Sequence, residues 1–245
     1  MRGISVGKPR EPSVLGMIIL STLVGLAFSS NVDKWGILMA LLGVFINIIT
    51  FDSTMNSLRT RKYSNWVFLM IINAVPYLVG LIYWKAGIMV PYVVAATILF
   101  SHVLLVHRLD WRSPANYIWG ASIPVLPGIF VPALSGGSLT WKAWTAWFLL
   151  SIYAMSTAAY VETRLAYRKT NPVIPLAVLA PSVVSLIRAP CLIIALLEPF
   201  IKVLSNIRGR RVVAGVEEIK RMGRIETLRL YIFAFLMVII LKIMY

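Results

Sequence analysis

The sequence predicts an all-α, polytopic membrane protein with nine transmembrane helices, as indicated by its composition, its apolar runs and the placement of its basic residues. Of the 245 residues, 59% are hydrophobic and only 13% are charged. A typical soluble domain has ~45–50% apolar and ~25% charged residues. Apolar runs account for nearly the whole chain, so we expect one transmembrane helical domain covering residues 1–245.

Nine apolar runs are predicted to be helices rather than barrel strands. A helix needs ~20 apolar residues to cross a hydrocarbon layer of ~30 Å, and most of the runs approach that length. Backbone groups find no water in lipid, and the runs lack the alternation of polar and apolar residues that barrel strands show. The predicted spans are 13–29, 34–51, 65–84, 86–106, 115–134, 141–161, 171–188, 190–207 and 225–244.

The basic residues of the connecting segments fall mainly on one side of this arrangement. Each connection on the other side carries a single one: Lys34, Lys85, Lys142 or Arg188. Short loops rich in Lys and Arg stay in the cytoplasm, so we expect a cytoplasmic N-terminus, an external C-terminus and a multi-pass position in the cell membrane. The basic residues on the cytoplasmic side are Arg2, Lys8, Arg10, Arg59, Arg61, Lys62, Arg108, Arg112, Arg164, Arg168, Lys169, Arg208, Arg210, Arg211, Lys220, Arg221 and Arg224.

The net charge of +15 follows from the same distribution. Because the basic residues lie in short loops between spans, we interpret them as orienting the protein and contacting anionic membrane lipid, and we expect no nucleic-acid partner.

The stretch 43–63 is the first candidate site, because polar and basic residues follow directly on an apolar run. It contains Asn47 and Asp52 and ends in a cluster of cations. Asp52, Asn56 and Arg59 are spaced i, i+4 and i+7, so a helix that continues through them would place them on one face. This pattern is typical of a site for an anionic head group, and it is also compatible with an ordinary polar helix end.

Glu162 is the predicted partner of Asp52. Mg²⁺ is usually held by one or two carboxylates together with substrate phosphates, so Asp52 needs a second acid. Glu162 ends the sixth span on the same predicted side and is followed by Arg164 and Lys169. We therefore expect a cavity open to the cytoplasm, although pairing of these acids with loop bases is an equally reasonable expectation.

Two further features of the sequence are compatible with other functions. Glu198 and Lys202 are spaced i, i+4 within the eighth span. We slightly favour a structural ion pair between them over a functional role for Glu198 as an intramembrane acid. The segment 208–224 predicts a short interfacial helix, with Val212, Val213, Val216 and Ile219 roughly on one face.

Three segments resemble the UbiA superfamily of intramembrane prenyltransferases. FINIITFDSTMNSLRTR stands where that family has an acidic motif after the second helix, and AYVETRLAYRK stands where it has another after the sixth. HRLDWRSPANYIWGASIPVLPG is similar to the stretch after its fourth helix. The family motifs contain several aspartates, whereas this chain has Asp52 alone in the first and Glu162 alone in the second.

This resemblance implies a UbiA-like helical bundle that binds or transfers an isoprenoid diphosphate or a related lipid. It implies that Asp52 and Glu162 are catalytic and hold Mg²⁺. The substrate-binding residues that it implies are Asn47, Asn56, Arg59, Arg61, Arg108, Arg112, Asn116, Arg164 and Lys169.

The ends of the chain resemble the YwiC-like family, which consists of small polytopic membrane proteins. KPREPSVLG is similar to the opening of that family, and IKRMGRIET is similar to a stretch before its last span. The alternative functions are a transporter or lipid carrier without catalysis, for which Glu198 and Lys202 would matter most, and an assembly protein that uses the basic loop 208–224.

Overall fold

The computed structural model describes residues 12–29, 33–83, 89–109, 111–136, 139–209 and 212–245, and these are almost entirely helical. No β-strand occurs within these ranges, where a single isolated bridge joins Leu165 and Val213. The predicted all-α class is confirmed. The basic N-terminal segment, Lys85 and Asp110 lie outside the described residues.

The helices, numbered in chain order, are α1 (Pro12–Ala27), α2 (Lys34–Arg59), α3 (Tyr63–Tyr83), α4 (Met89–Arg108), α5 (Pro114–Gly120), α6 (Pro127–Gly136), α7 (Trp141–Arg164), α8 (Ile174–Leu179), α9 (Ile193–Arg208) and α10 (Val216–Ile243).

Four helical segments of the described chain are long and apolar enough to cross a membrane. This finding supports a membrane protein with transmembrane helices. The four segments are Lys34–Arg59, Met89–Arg108, Pro114–Ser135 and Pro190–Arg208, and shorter apolar helices cover Pro12–Ala27, Tyr63–Val79 and Ile174–Ile187.

Two of the predicted spans are broken by prolines. The fifth divides into α5 and α6, with Pro124 in a 3-10 turn between them and Pro127 at the start of α6. The seventh passes from α8 into a 3-10 helix, Ala180–Ile187, that has Pro181 near its start. Proline lacks the N–H that would continue the α-helical ladder. Pro76 and Pro199, in contrast, lie inside α3 and α9.

The chain divides into two compact units, the first formed by residues 1–111 and 124–144. In this unit α2 approaches α6 so closely that a Cβ on Gly36 would lie 2.1 Å from the Leu134 carbonyl oxygen. It also approaches α3, where Asn47 Nδ2 donates to the Tyr77 hydroxyl at 2.6 Å. Small and polar side chains thus bring these helices together, as is common where lipid replaces water around a bundle.

The second unit contains residues 112–123 and 145–245. Tyr153 of α7 stacks on Phe233 of α10, with ring centroids 4.4 Å apart, and both rings are buried. At the start of α10, the Val213 N–H donates to the Arg164 carbonyl at 2.8 Å, and Val213 packs with Leu165 and Met222. These contacts join α7 to the segment that leads into α10.

The prediction of a separate interfacial helix within 208–224 is wrong. α10 begins at Val216 and continues without interruption to Ile243. Val213 lies in the buried contact with Leu165, whereas Val212 and Val216 are exposed. The apolar residues of this segment therefore serve different contacts, because Val213 precedes the helix and pairs with the end of α7.

Candidate functional site

The candidate site in the first unit is built on the C-terminal end of α2. This helix continues to Arg59, eight residues beyond the predicted end of the span at residue 51. Asp52, Asn56 and Arg59 therefore share one helical face, as the spacing predicts. Asp52 is half-buried, whereas Asn56 and Arg59 are exposed.

The end of α2 forms a tight turn that reverses the chain. The Arg61 N–H donates to the Leu58 carbonyl at 3.1 Å, and the Lys62 N–H donates to the Ser57 carbonyl at 2.8 Å. This pair of bonds is the Schellman motif, in which the residue after the cap adopts a left-handed conformation. Arg61 occupies that position, with a φ of 56°.

A pocket of about 320 Å³ lies where this turn meets the C-terminal end of α4. We call it the basic pocket, because three arginines and a histidine contribute to its lining. The Arg59 guanidinium lies over the Trp111 ring, 5.2 Å from its centroid. The lining residues are Arg59, Arg61, Val106, His107, Arg108, Leu109 and Trp111.

The cations of the basic pocket share one lining and have no acidic partner among the described residues. Among the described residues, no carboxylate forms an ion pair with Arg59, Arg61 or Arg108. His107 has a weak contact, 3.5 Å from Nδ1 to the Tyr63 hydroxyl. Unneutralised guanidinium groups that share one pocket repel each other, and they attract an anion that can accept several N–H donors.

The predicted partner acid, Glu162, lies in the second unit and is already engaged. Its Oε2 is 3.2 Å from Arg168 Nε, and its side chain is 7% exposed. Arg168 also donates to the Arg112 carbonyl at 2.6 Å and lies 5.6 Å over the Tyr117 ring. Burial raises the pKa of the Glu162 carboxyl, and the charge of Arg168 opposes this shift.

The predicted binding residues are distributed between the units. Arg59, Arg61 and Arg108 line the basic pocket, whereas Asn47 is engaged with Tyr77 in the α2–α3 contact. Asn56 belongs to the first unit outside the pocket lining. The second unit contains Arg112, Asn116, Arg164 and Lys169, of which Arg164 donates to the Tyr160 hydroxyl at 2.6 Å and Lys169 is exposed.

His107 and Trp111 are the pocket residues that the sequence interpretation missed. Both lie close to Arg108 in the segment HRLDW. A basic residue flanked by His and Trp just after a span was the available signal.

The predicted Mg²⁺ site needs Asp52 and Glu162 as ligands. The described residues contain no group of three or more His, Cys, Asp or Glu side chains placed to hold a metal ion. The Glu162 carboxylate would have to leave Arg168 to become a ligand. Mg²⁺ binding by this pair stays a prediction.

The second unit contains a charge network of Glu198, Lys202, Glu226 and Arg229. Lys202 Nζ lies 2.7 Å from Glu226 Oε2, and both side chains are 5% exposed. Arg229 joins the two acids, at 2.8 Å from Glu226 Oε1 and 3.3 Å from Glu198 Oε1. The charges of the two acids therefore balance those of the two bases.

Polar and aromatic groups of α7 complete the network. The Tyr153 hydroxyl donates to Glu198 at 3.2 Å, and Lys202 donates to Thr157 at 3.3 Å. Lys202 Nζ also lies 4.9 Å and 5.0 Å from the ring centroids of Tyr153 and Tyr160, within cation–π range.

The expected structural pair of Glu198 with Lys202 is wrong, because α10 supplies each of them with a different partner. Lys202 pairs with Glu226, and Glu198 pairs with Arg229. The sequence interpretation assigned neither Glu226 nor Arg229 to this pair. Glu226 and Arg229 are spaced i, i+3 within the last apolar segment. This acid–base spacing was the sequence signal for the part of the network that α10 contributes.

Comparison with protein-family models, curated proteins and solved structures gives no match for this chain. The resemblances to the UbiA superfamily and to the YwiC-like family therefore stay expectations based on short motifs. The function is argued below from the geometry of the described residues.

Proposed function

We propose that this chain is a multi-pass protein of the cell membrane that binds an isoprenoid diphosphate or a related phosphate-bearing lipid through the basic pocket. The observation that carries the proposal is the set of Arg59, Arg61 and Arg108, which line one pocket without an acidic partner among the described residues. Guanidinium groups match phosphate oxygens with paired N–H donors, which explains why arginine favours this chemistry.

The proposed membrane arrangement has nine spans, a cytoplasmic N-terminus and an external C-terminus. The loops that follow α2 and α4 both belong to the basic side of the chain, so the charge bias puts the basic pocket at the cytoplasmic surface. A lipid head group at that surface would meet the pocket, while its apolar chain would stay among the helices or in the surrounding lipid.

Binding is favoured over catalytic transfer by the state of Glu162. In the transfer mechanism Asp52 and Glu162 would hold Mg²⁺ and stabilise the departing diphosphate. The ion pair with Arg168 occupies Glu162, and the basic pocket can neutralise an anion with guanidinium groups alone.

The transporter alternative depends on intramembrane charges on a pathway. Each member of the charge network has an oppositely charged partner, and Lys202 and Glu226 are buried from both solvent and lipid. This arrangement favours a structural role for the network.

Direct binding to the purified protein in detergent micelles tests the proposal. We expect farnesyl diphosphate to bind and farnesol, which lacks the phosphates, to bind at least tenfold more weakly. Arg59→Gln and Arg108→Gln should each weaken binding of farnesyl diphosphate by about 10–100-fold, because a hydrogen bond to a charged group contributes ~1.5–3 kcal/mol.

Lys62→Gln is the matched control for these variants. Lys62 is an exposed cation that follows the same turn and does not belong to the pocket lining. Its affinity should stay within about threefold of the wild type, since it contributes only a screened surface charge. Equal binding of farnesol and farnesyl diphosphate, or equal losses in all three variants, would contradict the proposal.

A further inference from the structure

Arg61 combines an unfavourable backbone conformation with a place in the basic pocket. Within the part of the chain that the structure describes, it is the one non-glycine residue with a positive φ. In the left-handed region Cβ approaches the following carbonyl oxygen, so glycine, and less often asparagine, usually occupies such a position. An arginine here is an outlier that calls for a reason.

The conformation is imposed by the end of α2 and does not depend on the side chain. Two backbone hydrogen bonds, from Arg61 and from Lys62, close the Schellman turn. Any residue at this position must adopt a positive φ to keep both bonds. Glycine would satisfy the turn with less strain, so the turn itself does not explain the arginine.

Contacts of the Arg61 side chain with the rest of the protein do not explain the arginine either. The Arg61 guanidinium is exposed, and it forms no hydrogen bond or ion pair with the residues that the structure describes. Its visible role is to line the basic pocket beside Arg59 and Arg108.

We infer that Arg61 determines the affinity of the basic pocket for phosphate-bearing anions, and that its guanidinium is retained at a strained position for this purpose. The inference rests on the proposed function. It also narrows the ligand to anions with at least two negative charges and several oxygens, such as a diphosphate. An anion of this kind can occupy three guanidinium groups at once, whereas a carboxylate has only two oxygens.

A purely structural role for Arg61 makes the opposite prediction for stability. A cation near a helix C-terminus interacts favourably with the last carbonyl groups. If that were the reason for the arginine, its removal would lower the melting temperature. If the side chain serves a ligand, a residue that suits the left-handed conformation should raise the melting temperature while weakening binding.

Four variants at this position separate charge from strain. Arg61→Gly and Arg61→Asn remove the charge and relieve the strain, Arg61→Ala removes the charge and keeps the strain, and Arg61→Lys keeps both. Lys62→Gln again serves as the neighbouring control. Each purified variant is measured in the same detergent for its melting temperature and for its affinity towards inorganic pyrophosphate, farnesyl diphosphate and acetate.

We expect Arg61→Gly to raise the melting temperature by about 2–4 °C, as relief of a left-handed conformation should in a chain of this size. Arg61→Asn should follow it, and Arg61→Ala should show no increase. All three should weaken binding of pyrophosphate and of farnesyl diphosphate by at least tenfold. Arg61→Lys should lose less affinity than these three variants, because it keeps the charge but not the paired N–H donors of the guanidinium. Acetate should bind the wild type at least tenfold more weakly than pyrophosphate does.

The inference is overturned if Arg61→Gly binds pyrophosphate as tightly as the wild type, or if it melts at a lower temperature. Comparable affinities for acetate and pyrophosphate would overturn the assignment of the ligand class. If the wild type binds neither pyrophosphate nor farnesyl diphosphate, the proposed function falls together with the inference. If the wild type binds both and Arg61→Gly does too, the proposed function stands and only the role of Arg61 is lost.

Discussion

Replacement of Glu226 by glutamine tests whether the charge network stabilises the second unit. The Glu226 carboxylate accepts from Lys202 at 2.7 Å and from Arg229 at 2.8 Å, and its side chain is 5% exposed. Glutamine has one acceptor oxygen and one amide group, so one of the two cations must face N–H donors. Lys202, itself 5% exposed, would also lose its counter-charge.

The expected loss in free energy of unfolding is about 3–5 kcal/mol, the usual effect of removing one partner of a buried ion pair. We expect the lower half of this range, because Arg229 is 36% exposed and keeps Glu198 as a partner. For a chain of this size the corresponding drop in melting temperature is about 6–20 °C. Thermal unfolding in detergent, followed by circular dichroism, measures it.

A second variant separates the buried charge from the packing. Lys202→Met combined with Glu226→Gln leaves no unpaired buried charge, and the methionine can fill the space beside the rings of Tyr153 and Tyr160. The double variant should therefore be more stable than Glu226→Gln alone. If the losses of the two single variants simply add, the reasoning from buried charge is refuted.

Glu217→Gln is the matched control on the same helix. Glu217 pairs with Lys220 at 2.8 Å, but both side chains are well exposed, at 80% and 63%. Surface pairs of this kind contribute ~0–1 kcal/mol. A drop in melting temperature equal to that of Glu226→Gln would show that burial is not the cause.

Three further predictions concern one acid and two glycines. Burial raises the pKa of the Glu162 carboxyl above its ordinary value of 4.5. The stabilisation from the protonated carboxyl should therefore be full below pH 4.5 and should be lost as the pH rises through the raised pKa. Glu162→Gln should flatten the plot of melting temperature against pH in this range, and an unchanged plot would contradict the assignment. Gly36→Ala should destabilise the first unit by about 1–3 kcal/mol, because its Cβ would lie 2.1 Å from a backbone carbonyl oxygen of α6. Gly223→Ala, at a helical position with no atom within 4 Å of the added Cβ, should instead stabilise by about 0.5–1 kcal/mol in the same thermal assay.

Hydropathy predicted where the helical segments lie better than where each helix ends. For α2 it indicated a span ending at residue 51, whereas the helix continues to Arg59. The polar residues from Asp52 onwards lower the hydropathy without interrupting the backbone hydrogen bonds. The turn that ends the helix has arginine at the position where glycine usually indicates a helix end. The sequence therefore did not indicate where α2 ends.

Prolines were equally ambiguous in the sequence. The chain leaves the α-helical conformation around Pro124 and Pro181, yet it passes through Pro76 and Pro199 within α-helices. A proline removes one N–H in every case. Whether the helix then breaks depends on neighbouring helices, which a single sequence does not reveal.

The candidate site could be predicted in part. The cations of the basic pocket follow from the clustering of basic residues in two loops of the sequence, and Arg59, Arg61 and Arg108 do share one pocket. The partners in the charge network could not be predicted in the same way. The i, i+4 spacing suggested that Glu198 meets Lys202, but contacts with α10 decide the pairing.

The same pairing bears on how α9 and α10 would enter the bilayer in the proposed nine-span arrangement. Each helix contributes one acid and one base to the charge network, and a charged side chain at the centre of a span costs ~2.5–3.5 kcal/mol during insertion. Neither helix can neutralise its charges in the way seen in the folded protein until the other is beside it. We therefore expect the two helices to insert as a hairpin, with the short connection between Arg208 and Val216 on the side from which they enter.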